Sequence, residues 1–194
     1  MQFRYLKVIL PLLVVLAVAA CAKPPQADID AARAAVANAA KNADVVAYAP
    51  DTLKSAQDKL AQMDTELAAK HYDKVKTIAL DARATAETAA NDAARNKEKA
   101  QADATTLVAA LKKALPDANK KLAAARRVRG VKLDFAGLTA GLAAAKSSLA
   151  DADKDLAAGD FASALQKANA VQATVNDTEK AVSDAVQAAT SRKK

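Results

Sequence analysis

From residue 27 onward, apolar side chains return every three or four positions rather than every two. Ile29, Ala32, Val36, Ala39, Ala43 and Val46 make one stripe, and Leu53, Ala56, Leu60, Met63 and Leu67 make the next. Tyr72, Val75, Ala79, Ala82, Ala86, Ala89 and Ala93 form a third. Leu107, Leu111, Ala114, Ala118, Leu122 and Ala125 continue in kind. Two more follow: Leu138, Leu142, Ala145, Leu149, Ala152 and Leu156, then Phe161, Ala164, Ala168, Val171, Val175, Val182, Ala185 and Ala189. This spacing predicts amphipathic helices, and no alternating strand pattern accompanies it. Pro50 should end one helix, with Asp51 capping or charging the first turn of the next. A break is expected near Lys70 and His71, and Pro116 should interrupt or kink its helix. Gly130 and Gly159 are stop signals, and Asp160 can cap the last helix.

Heptad-like seams pack helices about 20° from parallel or antiparallel. The expected fold is therefore all-α: an Ala-rich bundle of long helices built from hairpins that turn near residues 70 and 159. The C-terminal hairpin should have arms of about 25 and 30 residues, or about 37–45 Å at 1.5 Å per residue. The hairpins also read as copies. At an offset of 89, Leu53 meets Leu142, Leu60 meets Leu149, Asp64 meets Asp153, Leu67 meets Leu156, and Tyr72 meets Phe161 just past the turn. Eleven of the 40 pairs from 53 to 92 are identical, but six are Ala on Ala, so the leucines and the aromatic carry the argument. Residues 51–95 and 138–190 are candidate repeats. One position departs: Lys70 stands where the second copy has Gly159.

The first 20 residues follow a different rule. "MQFRYLK" brings Arg4 and Lys7 with no acid, and "VILPLLVVLAVAA" brings thirteen uncharged residues. A basic stub before a short apolar run is the layout of an export signal. The run is shorter than the roughly 20 residues needed to span a bilayer. Val18, Ala19 and Ala20 then lead into Cys21, the single cysteine of the chain. This order resembles the lipobox of bacterial lipoproteins. The resemblance implies a diacylglycerol on Cys21, cleavage between Ala20 and Cys21, and acylation of the new N-terminus. Residues 1–20 are then the signal, 21–26 a lipidated tether stiffened by the proline pair of "AKPPQ", and 27–194 the helical domain. Two or more acyl chains make a stable membrane anchor. Ala22 is not the acid that retains enteric lipoproteins at the inner membrane, so the resemblance implies the outer membrane of a diderm host, facing the periplasm.

Composition sharpens this picture. Fifty-five of the 194 residues are alanine, and there is no Trp. Alanine favours helix but buries little area, so the core must be thin and spread along the helices. Net charge is +7, or +5 once Arg4 and Lys7 are removed. The excess is local. Between 112 and 132, Lys112, Lys113, Lys120, Lys121, Arg126, Arg127, Arg129 and Lys132 face Asp117 alone. Lys113, Lys120 and Arg127 recur every seven residues and would share one face of a continuous helix. Lys113, Lys120, Arg126, Arg127 and Arg129 are thus candidates for an anionic partner: lipid phosphates, lipopolysaccharide or peptidoglycan carboxylates. The alternative is a solubilising face. Nucleic acid fits poorly, because the strip lacks stacking aromatics.

Catalytic and metal chemistry find little footing. His71 is the only histidine, and a metal site needs three or four convergent ligands. The carboxylates of "DADKD" read as a solvated helix face. No Gly-rich phosphate loop is present among four glycines, and no cofactor is implied. The stretch "YAPDTLKSAQDKLAQMDTELAAKHYDKVKTIALDARATAETA", about residues 47–90, is similar to a family of small helical lipoprotein domains of unassigned function. Some members of that family precede an OmpA-like domain. The likeness implies fold and compartment rather than activity. The C-terminal "AATSRKK" weakly resembles the Arg-Lys end through which murein lipoproteins join peptidoglycan; its cations also suit a helix C-terminus. The expected function is a non-catalytic, membrane-anchored helical spacer or adaptor of the envelope. The alternative is a binding module for an anionic or apolar envelope ligand.

Overall fold

In the computed structural model, residues 23–191 are described. Residues 1–22, which hold the expected signal, Ala20 and Cys21, and the basic residues Arg192, Lys193 and Lys194 lie outside them. Six helices and no strand occur among the described residues, an all-α fold. They are α1 (Gln26–Lys41), α2 (Ala43–Tyr48), α3 (Pro50–Ala68), α4 (Tyr72–Ala125), α5 (Phe135–Ala158) and α6 (Phe161–Ser191). The chain divides into two compact units, Met1–Ala94 and Arg95–Lys194.

In the first unit, α1, α3 and residues 72–94 of α4 pack up-down-up, with α3 antiparallel to the other two. One layer of the core joins Ile29 and Ala32 to Met63, Val75 and Ala79. The next joins Val36 and Ala39 to Leu53, Ala56, Ala86 and Ala89. In the second unit, residues 95–125 of α4, α5 and α6 enclose Val108, Leu111, Leu115, Leu122, Leu142, Leu149, Val171 and Val175. With 24 and 31 residues, α5 and α6 match the arm lengths read from the stripes.

The 89-residue offset reaches beyond identity into burial. Leu53, Ala56, Met63, Val75, Ala79, Ala82, Ala86, Ala89 and Ala93 are buried, and so are Leu142, Ala145, Ala152, Ala164, Ala168, Val171, Val175, Thr178 and Val182. The first helix of each unit corresponds at a different offset, 79: Ile29, Ala32, Val36 and Ala39 against Val108, Leu111, Leu115 and Ala118, all buried. One ion pair obeys both offsets. Arg33 bonds Asp64 at 2.7 Å, and Lys112 bonds Asp153 at 2.7 Å. The segment joining first helix to hairpin is therefore ten residues longer in the second unit.

Three local readings differ from the periodicity. The stripe through Ala43 and Val46 fails because α1 stops at Asn42, whose backbone is extended and whose Oδ1 accepts the Asp44 N–H at 2.9 Å. That cap resets the helical phase, so Val45 and Ala49 are buried while Val46 is 51% exposed. Pro116 does not interrupt α4. An interior proline costs about 3 kcal/mol, but Leu111, Leu115 and Leu122 on either side are each at most 4% exposed. Burial of one such side chain gives about 1.5–3 kcal/mol, so the three together outweigh the proline. Finally, α4 ends at Ala125, and residues 126–134 form a connector in which Gly130 takes φ 91°.

Candidate functional site

The basic cluster is the feature that the fold rearranges most. Lys113 and Lys120 lie exposed on α4, seven residues apart. Arg127 does not continue their row, because the helix has ended two residues earlier. Lys120 is engaged by Asp117 at 3.1 Å, and Lys112 and Lys121 reach Asp153 and Glu179 at 2.7 and 2.8 Å. These are exposed pairs, worth about 0–1 kcal/mol each, yet they cancel charge locally. The expected strip is thus broken, and what replaces it is the connector "RRVRGVKLD".

Four cations sit in that connector. Arg127, Arg129 and Lys132 are exposed and have no ion-pair partner among the described residues. Arg126 lies over the Phe135 ring, 5.2 Å from its centroid. A cation on an aromatic face at an exposed site gains about 0.5–1 kcal/mol and loses freedom, which fixes the guanidinium. Arg126 and Arg127 also line a recess of about 390 Å³ with Asn119, Leu122, Ala123 and Thr139. The connector's one acid, Asp134, is exposed and serves as the N-cap of α5: its Oδ1 accepts the Gly137 N–H at 2.9 Å. Leu133, directly after Lys132, packs on the core of the unit.

A second concavity lies on the other flank of the same helix end. A groove of about 980 Å³ runs between α4 and α6, floored by Ala124, Ala125, Val128, Val182 and Val186. Its lysines are neutralised: Lys121 pairs with Glu179 and Lys180 with Asp184 at 2.7 Å. The groove therefore suits an apolar guest better than an anion. Sequence spacing could not find it, because it forms from residues about 60 apart.

The His71 turn resolves as a closure of the first hairpin. The ring Nδ1 lies 2.6 Å from Glu66 Oε2, and Lys74 approaches the same carboxylate at 3.5 Å. The hydrogen bond with His71 is the largest influence and lowers the Glu66 pKa from its usual 4.5; burial pushes it back up in part, and the Lys74 charge adds a lesser lowering. A carboxylate stabilised in this way is a weaker base than a free one. No cluster of three or more His, Cys, Asp or Glu able to hold a metal occurs among the described residues. None of the described helices is long and apolar enough to cross a membrane.

Residues 27–105 match a family described as a domain of unknown function (DUF4398). That span covers the first unit from residue 27 and the opening of the second, and it is similar to a helical family of unassigned activity, in keeping with the likeness seen over residues 47–90. No curated protein matches the chain, and no solved structure does.

Proposed function

We propose that this chain is a non-catalytic lipoprotein of the bacterial envelope. Lipid on Cys21 holds it at the outer membrane, and its helical units act as a spacer or adaptor in the periplasm. The observation that carries this reading is the order Val18-Ala19-Ala20-Cys21 directly after an uncharged run and a basic stub. The folded part supports it. Exposed charges pair along helices, as in Lys54–Asp58 and Arg83–Glu87, and between them, as in Arg33–Asp64, which suits a solvated helical surface. The lone histidine is engaged in closing a turn.

The test is metabolic labelling with a fatty acid in a diderm host, followed by membrane fractionation. Wild-type protein should be labelled, shortened by the signal and recovered with outer membranes. Cys21→Ser should be unlabelled and either uncleaved or soluble. A labelled Cys21→Ser protein, or one processed and sedimenting as wild type does, refutes the anchor. The groove of about 980 Å³ favours a second reading, a binding module for an apolar envelope ligand, and mass analysis of crosslinked complexes from intact envelopes separates the two.

A further inference from the structure

Both units share one architecture, and the difference between them is concentrated in one place. Between first helix and hairpin, the first unit carries residues 42–49, "NADVVAYA", with one acid and no cation. The second-unit connector, 126–134, is only one residue longer and carries four cations and one acid. Cations after a helix C-terminus can serve the helix dipole, at about 0.3–1 kcal/mol each. That role does not account for these four, because the first unit ends its equivalent helix with Lys41 alone in the last turn. The two connectors are nearly equal in length, and charge is what separates them.

We propose that the α4–α5 connector docks on the anionic face of a phospholipid bilayer, with Arg126, Arg127, Arg129 and Lys132 meeting lipid phosphates. Charge complementarity carries this: exposed cations without ion-pair partners lie along one short loop, four against one acid, and that acid, Asp134, is hydrogen-bonded to the Gly137 N–H as the cap of α5. Three of the four are arginine, whose planar fork matches phosphate oxygens in a way an ammonium does not. Arg126 is held in place by Phe135 and Arg127 shares its recess, so part of the surface is preorganised. Val128 and Val131, interleaved with the cations, are half-buried and present apolar area beside the charges. A basic segment near such a surface gains about 1 kcal/mol per Lys or Arg, within a Debye length of about 10 Å at moderate salt. The inference rests on the envelope reading only for which membrane is at hand; it does not require the lipid on Cys21.

The test uses the full chain carrying Cys21→Ser, so that no acyl anchor contributes. Binding is measured by co-sedimentation with phosphatidylcholine vesicles, with and without phosphatidylglycerol. The anionic vesicles should bind more tightly, and the difference should fade as salt rises. Arg127→Gln, Arg129→Gln and Lys132→Gln together should weaken binding to anionic vesicles about a hundredfold. A charge-matched control, Lys41→Gln, Lys76→Gln and Lys99→Gln, should change it little. Equal binding to both vesicle types, or an equal loss in the control, overturns the proposal. So does binding of inorganic phosphate as tight as that of vesicles, which would mark a discrete phosphate site. Tighter, connector-dependent binding to purified peptidoglycan sacculi than to vesicles would also overturn it. Failure of the Cys21 labelling test leaves these outcomes unaffected, so the two readings fall separately.

Discussion

The two hairpin turns offer a controlled experiment on one backbone conformation. At the first, the Lys70 N–H donates to the Leu67 carbonyl at 3.0 Å and the His71 N–H to the Glu66 carbonyl at 3.0 Å. At the second, the Gly159 N–H donates to Leu156 at 3.2 Å and the Asp160 N–H to Asp155 at 2.9 Å. Every partner is displaced by 89, and both are the double-bonded helix C-cap that requires a left-handed residue. Lys70 has φ 60° and Gly159 φ 80°. An L-residue in that region is strained by about 1–2 kcal/mol. Lys70→Gly removes the strain, offset by the extra chain freedom that glycine loses on folding, about 0.5–1 kcal/mol. A net stabilisation of about 0.5–1 kcal/mol should remain. Lys70 has no ion-pair partner among the described residues, so no electrostatic loss intervenes. Gly159→Ala should show the opposite sign at similar size. A Cβ there meets nothing within 4 Å, so only the backbone contributes. Urea unfolding followed by helical dichroism measures both, comparing midpoints at constant slope. If Lys70→Gly destabilises, or Gly159→Ala is neutral, the shared-turn reasoning is refuted.

Two further outcomes follow from burial and charge. Leu149→Asp, at a position 7% exposed, should cost about 4 kcal/mol or more in urea midpoints, while Leu60→Asp, only half-buried, should cost less than half as much; equal costs would mean that the seam is not packed as described. The Glu66 pKa is lowered by His71 and Lys74, so the unfolded chain binds more protons in acid and stability must rise with pH through the window below about 4.5. That contribution is present above the unfolded value and is lost as pH falls through the folded one. Glu66→Gln should flatten this part of the profile in melts between about pH 3 and 6, and an unchanged acid slope would dismiss the pair as a contributor.

Much of the helical architecture is legible in the spacing. The stripes from Leu53 to Ala93 and from Leu107 to Ala189 fall on buried or half-buried positions, because a 3–4 rhythm leaves a helix no other way to hide its apolar side. Turn chemistry is local too, so Gly159 and Asp160 announce the second turn by themselves. The errors came where distant contacts outvote local preference. Pro116 is a helix breaker in isolation and is overruled by leucines packed on α5 and α6. Asn42 ends a helix whose alanines would have carried it on, and only the burial of Val45 against α4 selects the new phase.

The candidate site divides in the same way. The sequence by itself located the basic excess, since charge density along a chain needs no fold. Whether those cations form a helical strip or a loop depends on where α4 ends. Whether they are free depends on partners such as Asp153 and Glu179, 41 and 58 residues away. Only the tertiary structure decided that the lysines of α4 are largely neutralised while the connector arginines are not. It did so because an ion pair is set by distance in space, and periodicity reports only distance along the chain.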